Sequence, residues 1–427
     1  MKKHSKLPEQ FTLARHAIKW LLLATMVAVL AGTASACFLF ALDWATRTRE
    51  SHRWLLALLP LAGGAVGWVY LKVGQSVEGG NNLLIDEIHD PQKVIPLRMA
   101  PLILGSTVVS HLFGASVGRE GTAVQMGGAL ADLLTRVFKL QSEDRRILLM
   151  AGISAGFASV FGTPMAGAVF GLEVLAMGRL RYDALLPCFI SAIVADQVGL
   201  LWGIHHTHYA IGTVPAVTAW GLGAAALAGM IFGLSGSVFA RATHALSAFM
   251  KRHIAYAPLR PLLGGCVLAA AIWGGDAWRY AGLGIPVIVE SFRQPVAPWD
   301  FAAKMLFTVS SLGTGFKGGE VTPLFFIGAT LGNALAPVLH MPFALLAALG
   351  FVGVFAGAAN TPLACILMAL ELFGADIGVY AALACVLAYL FSGHTSIYKS
   401  QRVGQAKHRH IPEGLRLGDV ATFRRKQ

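Results

Sequence analysis

Residues 114–121 read GASVGREG, and residues 313–323 read GTGFKGGEVTP. Within them, Gly118-Arg119-Glu120-Gly121-Thr122 and Gly318-Gly319-Glu320-Val321-Thr322 share the pattern G-x-E-x-T. The likeness continues downstream. Thr163-Pro164-Met165-Ala166 leads to Glu173, and Thr361-Pro362-Leu363-Ala364 leads to Glu371, each proline nine residues before its glutamate. The interval from Glu120 to Pro164 is 44 residues, and that from Glu320 to Pro362 is 42. Four landmarks in one order at nearly one spacing mark two homologous halves. We place them at residues 16–205 and 206–398, joined at the His205-His206-Thr207-His208 loop, with basic segments 1–15 and 399–427 at the ends. Spacing alone leaves open whether the repeats are parallel or inverted.

These motifs sit in a membrane protein. The 427-residue chain is 56% hydrophobic and 13% charged, with a mean hydropathy of +0.63. Soluble domains carry about 25% charged residues. The composition therefore excludes a soluble enzyme, a disordered chain and a disulfide scaffold, and leaves a multi-span membrane protein. The 48 glycines follow no strict period, which excludes collagen. Charge-free runs mark the spans: Trp20–Leu42, Trp54–Tyr70, Met99–Gly118, Ile147–Leu172, Ala210–Ala240, Pro261–Gly275, Leu324–Leu370 and Ile377–Gly393. Some are too short for an upright crossing of about 20 residues and others far too long. Prolines 60, 101, 164, 337, 342 and 362 interrupt them, and Pro323 immediately precedes one. Broken helices at membrane depth are tolerated where they line a cavity or are covered by protein. This texture predicts a transporter or channel, with the site at the midplane between the halves.

Charge placement gives the topology. Residues 1–19 carry +4 and residues 394–427 carry +6 of the net +12. Both ends are expected in the cytoplasm by the positive-inside rule. The same rule accounts for the basic tails without nucleic acid. Trp20–Leu42 is too long for a signal-peptide core and reads as a first membrane helix. The cysteines Cys37, Cys188, Cys266, Cys365 and Cys385 are dispersed in apolar runs, form no metal pattern, and are expected to be buried packing residues.

The glycine-rich starts suit an anion. Free backbone N–H groups and the positive end of the helix dipole attract small anions. Glu120 is an acid where an anion belongs. One reading pairs it with Arg119; the other makes it a proton-linked gate, filling the anion place when ionised and admitting the anion when protonated. Glu320 is the acid at the corresponding repeat position. Thr322, before Pro323, is either a plain helix N-cap or a hydroxyl turned to an ion. Glu78-Gly79-Gly80-Asn81-Asn82 is either a polar surface turn or a set of amide donors. Tyr398, closing Ser392–Tyr398, is either an interfacial belt residue or a functional hydroxyl. Two further patterns carry less. Gly233-Leu234-Ser235-Gly236 has the GxSG form of intramembrane serine proteases, with His111, His244 or His394 as conceivable partners, but such small residues commonly serve helix packing. The His205–His208 loop lacks the carboxylates or cysteines of a metal site and reads as solvated.

At these residues the chain resembles the CLC family of anion channels and proton-coupled anion antiporters, over nearly its whole length. Gly118-Arg119-Glu120-Gly121 is similar to the family's GREG-P segment, whose glutamate is the external gate; Thr122 stands where most members have proline. Gly319–Pro323 occupies the place of the G-x-F-x-P segment, whose backbone N–H groups bind the anion. Tyr398 falls at the tyrosine whose hydroxyl binds the central anion. The resemblance implies an all-α fold of two inverted halves with broken and re-entrant helices, one pore per subunit, usually a homodimer, with no cofactor and no enzymatic activity. Chloride-type members carry an ion-binding serine near Glu78–Asn82. Here Asn81 and Asn82 stand there, and Glu320-Val321-Thr322 replaces a bulkier apolar pair, as in the fluoride-selective branch. Val174 stands where chloride-type antiporters have their internal proton-transfer glutamate. The resemblance thus implies a fluoride/proton antiporter that exports fluoride from a bacterial cytoplasm across the inner membrane. Its gate is Glu120. Its ion contacts are Asn81, Asn82, Gly319, Val321, Thr322, Leu324 and Tyr398, with secondary roles at Glu320 and Thr122. A chloride/proton antiporter and a passive anion channel of the same fold are the alternatives. Fluoride holds its water tightly, so its site must offer many close donors; amides, hydroxyls and backbone N–H groups supply them.

Overall fold

The computed structural model describes residues 9–207, 209–408 and 411–426, side chains 424–426 excepted; Lys2, Lys3, Lys6, His208 and Arg409 lie outside the described residues. The fold is all-α. Eight α-helices are described in the first half: α1 (Glu9–Ser51), α2 (Leu59–Val69), α3 (Asn81–His89), α4 (Met99–Leu112), α5 (Glu120–Val137), α6 (Ser142–Phe161), α7 (Pro164–Glu173) and α8 (Leu185–Leu201). Eight follow in the second: α9 (Ala219–His253), α10 (Leu259–Gly274), α11 (Ile285–Ser291), α12 (Asp300–Thr314), α13 (Val321–Leu339), α14 (Phe343–Ala359), α15 (Pro362–Phe373) and α16 (Gly378–Phe391). A C-terminal segment adds a strand, β2 (Arg402–Val403), that pairs in parallel with β1 (Ala176–Met177) just after α7, and a helix, α17 (Val420–Lys426).

The long apolar runs break because a continuous helix would overshoot the bilayer. At about 1.5 Å per residue, Leu324–Leu370 would far exceed the hydrocarbon core of about 30 Å. It divides into α13, α14 and α15 at His340 (φ 50°) and Asn360 (φ 56°), left-handed residues that end each helix. Ile147–Leu172 divides into α6 and α7 at Gly162 (φ 70°). Pro164 and Pro362 then open the next helices, where a missing N–H costs nothing.

The halves interlock through these breaks. Helices α7 and α15 are 10 and 12 residues long, too short to cross a bilayer alone. Each carries its glutamate to the other's exposed start. Glu173 accepts from Leu363 N (3.1 Å) and Ala364 N (2.9 Å), and Glu371 accepts from Met165 N and Ala166 N (both 2.8 Å). Unpaired N–H groups at a helix start are satisfied here by a carboxylate, which also meets the positive dipole end. The repeated packing extends to α5 on α6 and α13 on α14. A methyl group at Gly127 would strike Gly152 O, and one at Gly328 would strike Gly350 O. Small residues let backbones approach where lipid gives helices no hydrophobic drive to associate.

Gly233 and Gly236 are further packing glycines: α9 lies there against the backbone of Ala388, Val354 and Ala358. No described histidine hydrogen-bonds Ser235; His111 pairs with Thr107 O, and His244 with Ser396 O. The cysteines divide. Cys188, Cys365 and Cys385 are buried, whereas Cys37 and Cys266 are exposed on α1 and α10, against the expectation that all are buried. Their apolar surroundings in the sequence belong to outward helix faces, which the run pattern does not separate from inward ones. Among the described residues no three His, Cys, Asp or Glu side chains form a metal-binding group.

Replacing Glu173 or Glu371 by glutamine leaves shape intact and weakens charge-assisted bonds. Each change should cost about 1–3 kcal/mol, read as a lower thermal-unfolding midpoint of the purified protein in detergent. An unchanged midpoint in both variants would contradict the capping role.

Candidate functional site

The two glycine-rich motifs meet head to head. Gly118 N donates to Gly319 O (2.6 Å) and Gly319 N donates to Gly118 O (2.8 Å), so two backbone bonds join the starts of α5 and α13. The approach needs glycine: a methyl at Gly319 would lie 2.7 Å from Gly121 N, and one at Gly118 would lie 2.8 Å from Pro323 Cδ. Two positive helix ends are thereby focused on one buried point.

Glu120 fills that point. Its side chain is fully buried. Although it is the first residue of α5, its carboxylate reaches α13. Thr322 N donates to Oε2 at 3.0 Å, and Thr322 Oγ1 donates to Oε1 at 2.5 Å. Arg119 contributes its own N–H (3.2 Å) and a longer Nε contact (3.4 Å). The pairing with Arg119 is present, but the shorter bonds cross to the other half. An ionised carboxylate out of water requires such donors. Thr322 is not the N-cap. That position falls to Glu320, whose side chain makes no capping bond, and Thr322 lies two residues further in with its hydroxyl turned to Glu120.

The remaining sequence candidates gather around this junction to different degrees. Asn81 begins α3; its amide nitrogen would lie 3.0 Å from a methyl at Gly121, and its Oδ1 is buried without a hydrogen-bond partner. Glu320 Oε2 is likewise buried and unpartnered, 3.6 Å from the same methyl position. Val321, Leu324 and Tyr398 are buried. Tyr398 lies within electrostatic reach of both Glu320 and Glu120. Asn82 is different: its Oδ1 accepts from Ser400 N at 2.9 Å, leaving its amide nitrogen for other use. Thr122 points away into α4, sharing a 2.8 Å hydrogen bond with Thr107.

The sequence reading passed over two buried basic residues nearby. Arg49, near the end of α1, donates to His111 O at 3.0 Å. Lys304, fully buried in α12, donates to Tyr280 O (2.9 Å) and Gly282 O (2.6 Å) and lies over Phe326. A lone lysine in an apolar helix was a legible signal. Arg49 was not, because Asp43–Arg53 reads as a charged loop. A cavity of about 770 Å³ lies on this side, with Arg47, Arg49, Arg53, Arg119 and Arg279 in its wall. Arg119 connects it to Glu120. The opposite face carries the start of α1 and the C-terminal segment, linked through Lys19–Asp144 (2.6 Å), Arg146–His89 O, His89–Leu175 O and Arg402 N–Leu175 O.

Membrane-length helices, halves joined at buried helix starts and a charged cavity beside the junction define a membrane transport protein. Residues 62–393 match the sequence profile of the voltage gated chloride channels. The chain belongs to that family, the CLC family. It is 64% identical over 423 residues to a chloride/fluoride channel protein of Pseudomonas syringae pv. tomato, covering 97% of this chain and 94% of that one. It is 27% identical over 382 residues to the H(+)/Cl(-) exchange transporter ClcA of Cronobacter sakazakii, covering 82% and 81%. Its fold superposes on the crystal structure of a CLC-type fluoride/proton antiporter with a TM-score of 0.88 at 35% identity, over 90% of this chain and 98% of that one. A slow cyanobacterial Cl-/H+ antiporter shares the fold at a TM-score of 0.77 and 20% identity, over 87% and 94%.

Thr322→Val keeps the backbone donor and removes the hydroxyl from Glu120. Anion flux through reconstituted protein should fall about tenfold, the worth of one hydrogen bond to a charged group, while Thr322→Ser retains it. Equal flux in valine and wild-type protein would show that the hydroxyl is idle.

Proposed function

We propose that this chain exports fluoride from the cytoplasm in exchange for protons moving inward. One observation carries the reading: the Glu120 carboxylate of one half is hydrogen-bonded by the N–H and hydroxyl of Thr322 at the helix start of the other. That carboxylate stands where an anion would bind. Ionised, Glu120 competes with fluoride for the same donors. Protonated, it loses the charge that the helix ends attract, and the anion takes its place. The proton and the anion thus exchange at one point. Binding one and releasing the other is the physical basis of antiport.

The anion contacts are the N–H groups of Val321 and Thr322, the hydroxyls of Thr322 and Tyr398, and the amides of Asn81 and Asn82. Gly319 and Leu324, expected to contribute as well, donate their N–H groups to Gly118 O and Glu320 O and shape the helix start instead. Glu320 acts secondarily, whereas Thr122, turned to Thr107, serves the packing of α5 on α4 rather than the ion. These assignments are supported by the gathering of Asn81, Glu320 and Tyr398 about the junction and by the likeness to a fluoride/proton antiporter. Fluoride is favoured over chloride because a set of close amide and hydroxyl donors repays its dehydration better. The half-repeats run 16–205 and 206–398, with segments 1–15 and 399–427 at the ends. The face bearing both ends is cytoplasmic, by its basic charge. The cavity edged by arginines is then the outer vestibule. The protein acts as a homodimer in the bacterial inner membrane, in contact with lipid, each subunit with its own pore.

Fluoride efflux from proteoliposomes, recorded with fluoride and proton electrodes together, tests the reading. Wild-type protein should move protons opposite to fluoride, and Glu120→Gln should abolish the proton movement. Proton-free fluoride flux in wild-type protein would make it a channel, and chloride flux of equal size would make it a chloride exchanger.

A further inference from the structure

Two parts of the proposed ion site come from opposite ends of the chain. Asn81 begins α3, and Tyr398 follows α16. A clamp joins them. Ser400 N donates to Asn82 Oδ1 at 2.9 Å, across 318 residues of sequence. Ser400 Oγ donates to Asp86 Oδ2, also at 2.9 Å. Asn82 and Asp86 are one helical turn apart, so one face of α3 presents both acceptors to a single serine. Arg416 meets the other oxygen of Asp86 at 2.9 Å.

The segment after Tyr398 is held from behind as well. Gln401 is fully buried, and its Nε2 donates to Val174 O and Ala359 O, each at 2.9 Å. Its Oε1 accepts from Asn360 Nδ2 at 2.9 Å. Leu417 N donates to Gln401 O, and Gly418 N donates to Lys399 O. Residues 399–401 are therefore bonded to α3 on one side and to the ends of α7 and α14 on the other. The members of the clamp differ in weight. Ser400 is buried, whereas the Arg416 and Asp86 side chains are 50% and 31% exposed. An exposed ion pair contributes little energy by itself. Its use here is to orient Asp86 toward Ser400.

We propose that Ser400 and Asp86 are positioning residues that fix the Asn81 amide against the Tyr398 hydroxyl and thereby set the preference for fluoride over chloride. Arg416 supports them through Asp86. The proposal rests on the functional reading above. Fluoride is the smaller ion, so its donors must stand closer together. A site that discriminates by reach must hold its groups to within about 0.5 Å. A helix start and a loop 318 residues apart do not keep that tolerance unaided; three polar contacts to one turn of helix do. The C-terminal segment, whose charge serves topology, thus also shapes the ion site.

The test compares initial fluoride and chloride efflux from proteoliposomes. Ser400→Ala and Asp86→Asn should each lower the fluoride-to-chloride rate ratio about tenfold, with chloride flux kept or raised. Ser400→Thr, which keeps both donors, should retain the wild-type ratio. Arg416→Gln, an exposed change that spares folding, should move the ratio the same way by a smaller factor. Parallel loss of both fluxes, or a ratio unchanged in all variants of a fluoride-selective wild type, overturns the clamp and leaves the functional reading standing. A wild-type protein that moves both halides equally overturns that reading and the clamp's role together.

Discussion

The structure turns on the meeting of two helix starts inside a membrane. Gly118 and Gly319 exchange backbone hydrogen bonds and bring the positive ends of α5 and α13 to one buried point. Such a point is costly unless something negative occupies it. Glu120 does so from its own chain, bonded by Thr322 across the interface. Glycine is required because any larger residue would collide with the opposite backbone. The broken spans serve the same end. A helix that crosses the bilayer in one stretch leaves its start at the surface, whereas a helix broken in mid-membrane places its dipole and free N–H groups where an ion must pass.

The halves depend on each other through similar exchanges. Glu173 serves the start of α15, and Glu371 serves the start of α7. At the starts of α7, α13 and α15 the needed negative group arrives from the other half, whereas α5 carries its own in Glu120. Such reciprocity suits an inverted repeat, in which equivalent helix ends approach each other about a common centre.

Much of this was legible in the sequence. The paired G-x-E-x-T motifs, the proline-to-glutamate spacing and the overlong apolar runs foretold two halves and the breaks and pointed to Glu120, because each is a local pattern with a local cause. Long-range partners were not legible. Nothing near Thr322 indicates that its hydroxyl serves Glu120 rather than its own helix. Nothing near Asn82 indicates that Ser400 takes its carbonyl oxygen. Asp86 and Arg416 read as surface charges until the fold brings them together. Exposed Cys37 and Cys266 show the same limit from the other side, since an apolar run does not record which of its faces turns outward.

The central claim is that Glu120 and the transported anion compete for one set of donors. Fluoride binding to the purified protein, titrated by calorimetry across a range of pH, tests it most directly. Wild-type affinity should strengthen as the pH falls and Glu120 takes up its proton. Glu120→Gln, with no charge to compete, should bind fluoride more tightly than wild type at neutral pH and without that pH dependence. An identical pH dependence in both proteins would contradict the account, because the carboxylate would then occupy a place the anion never takes.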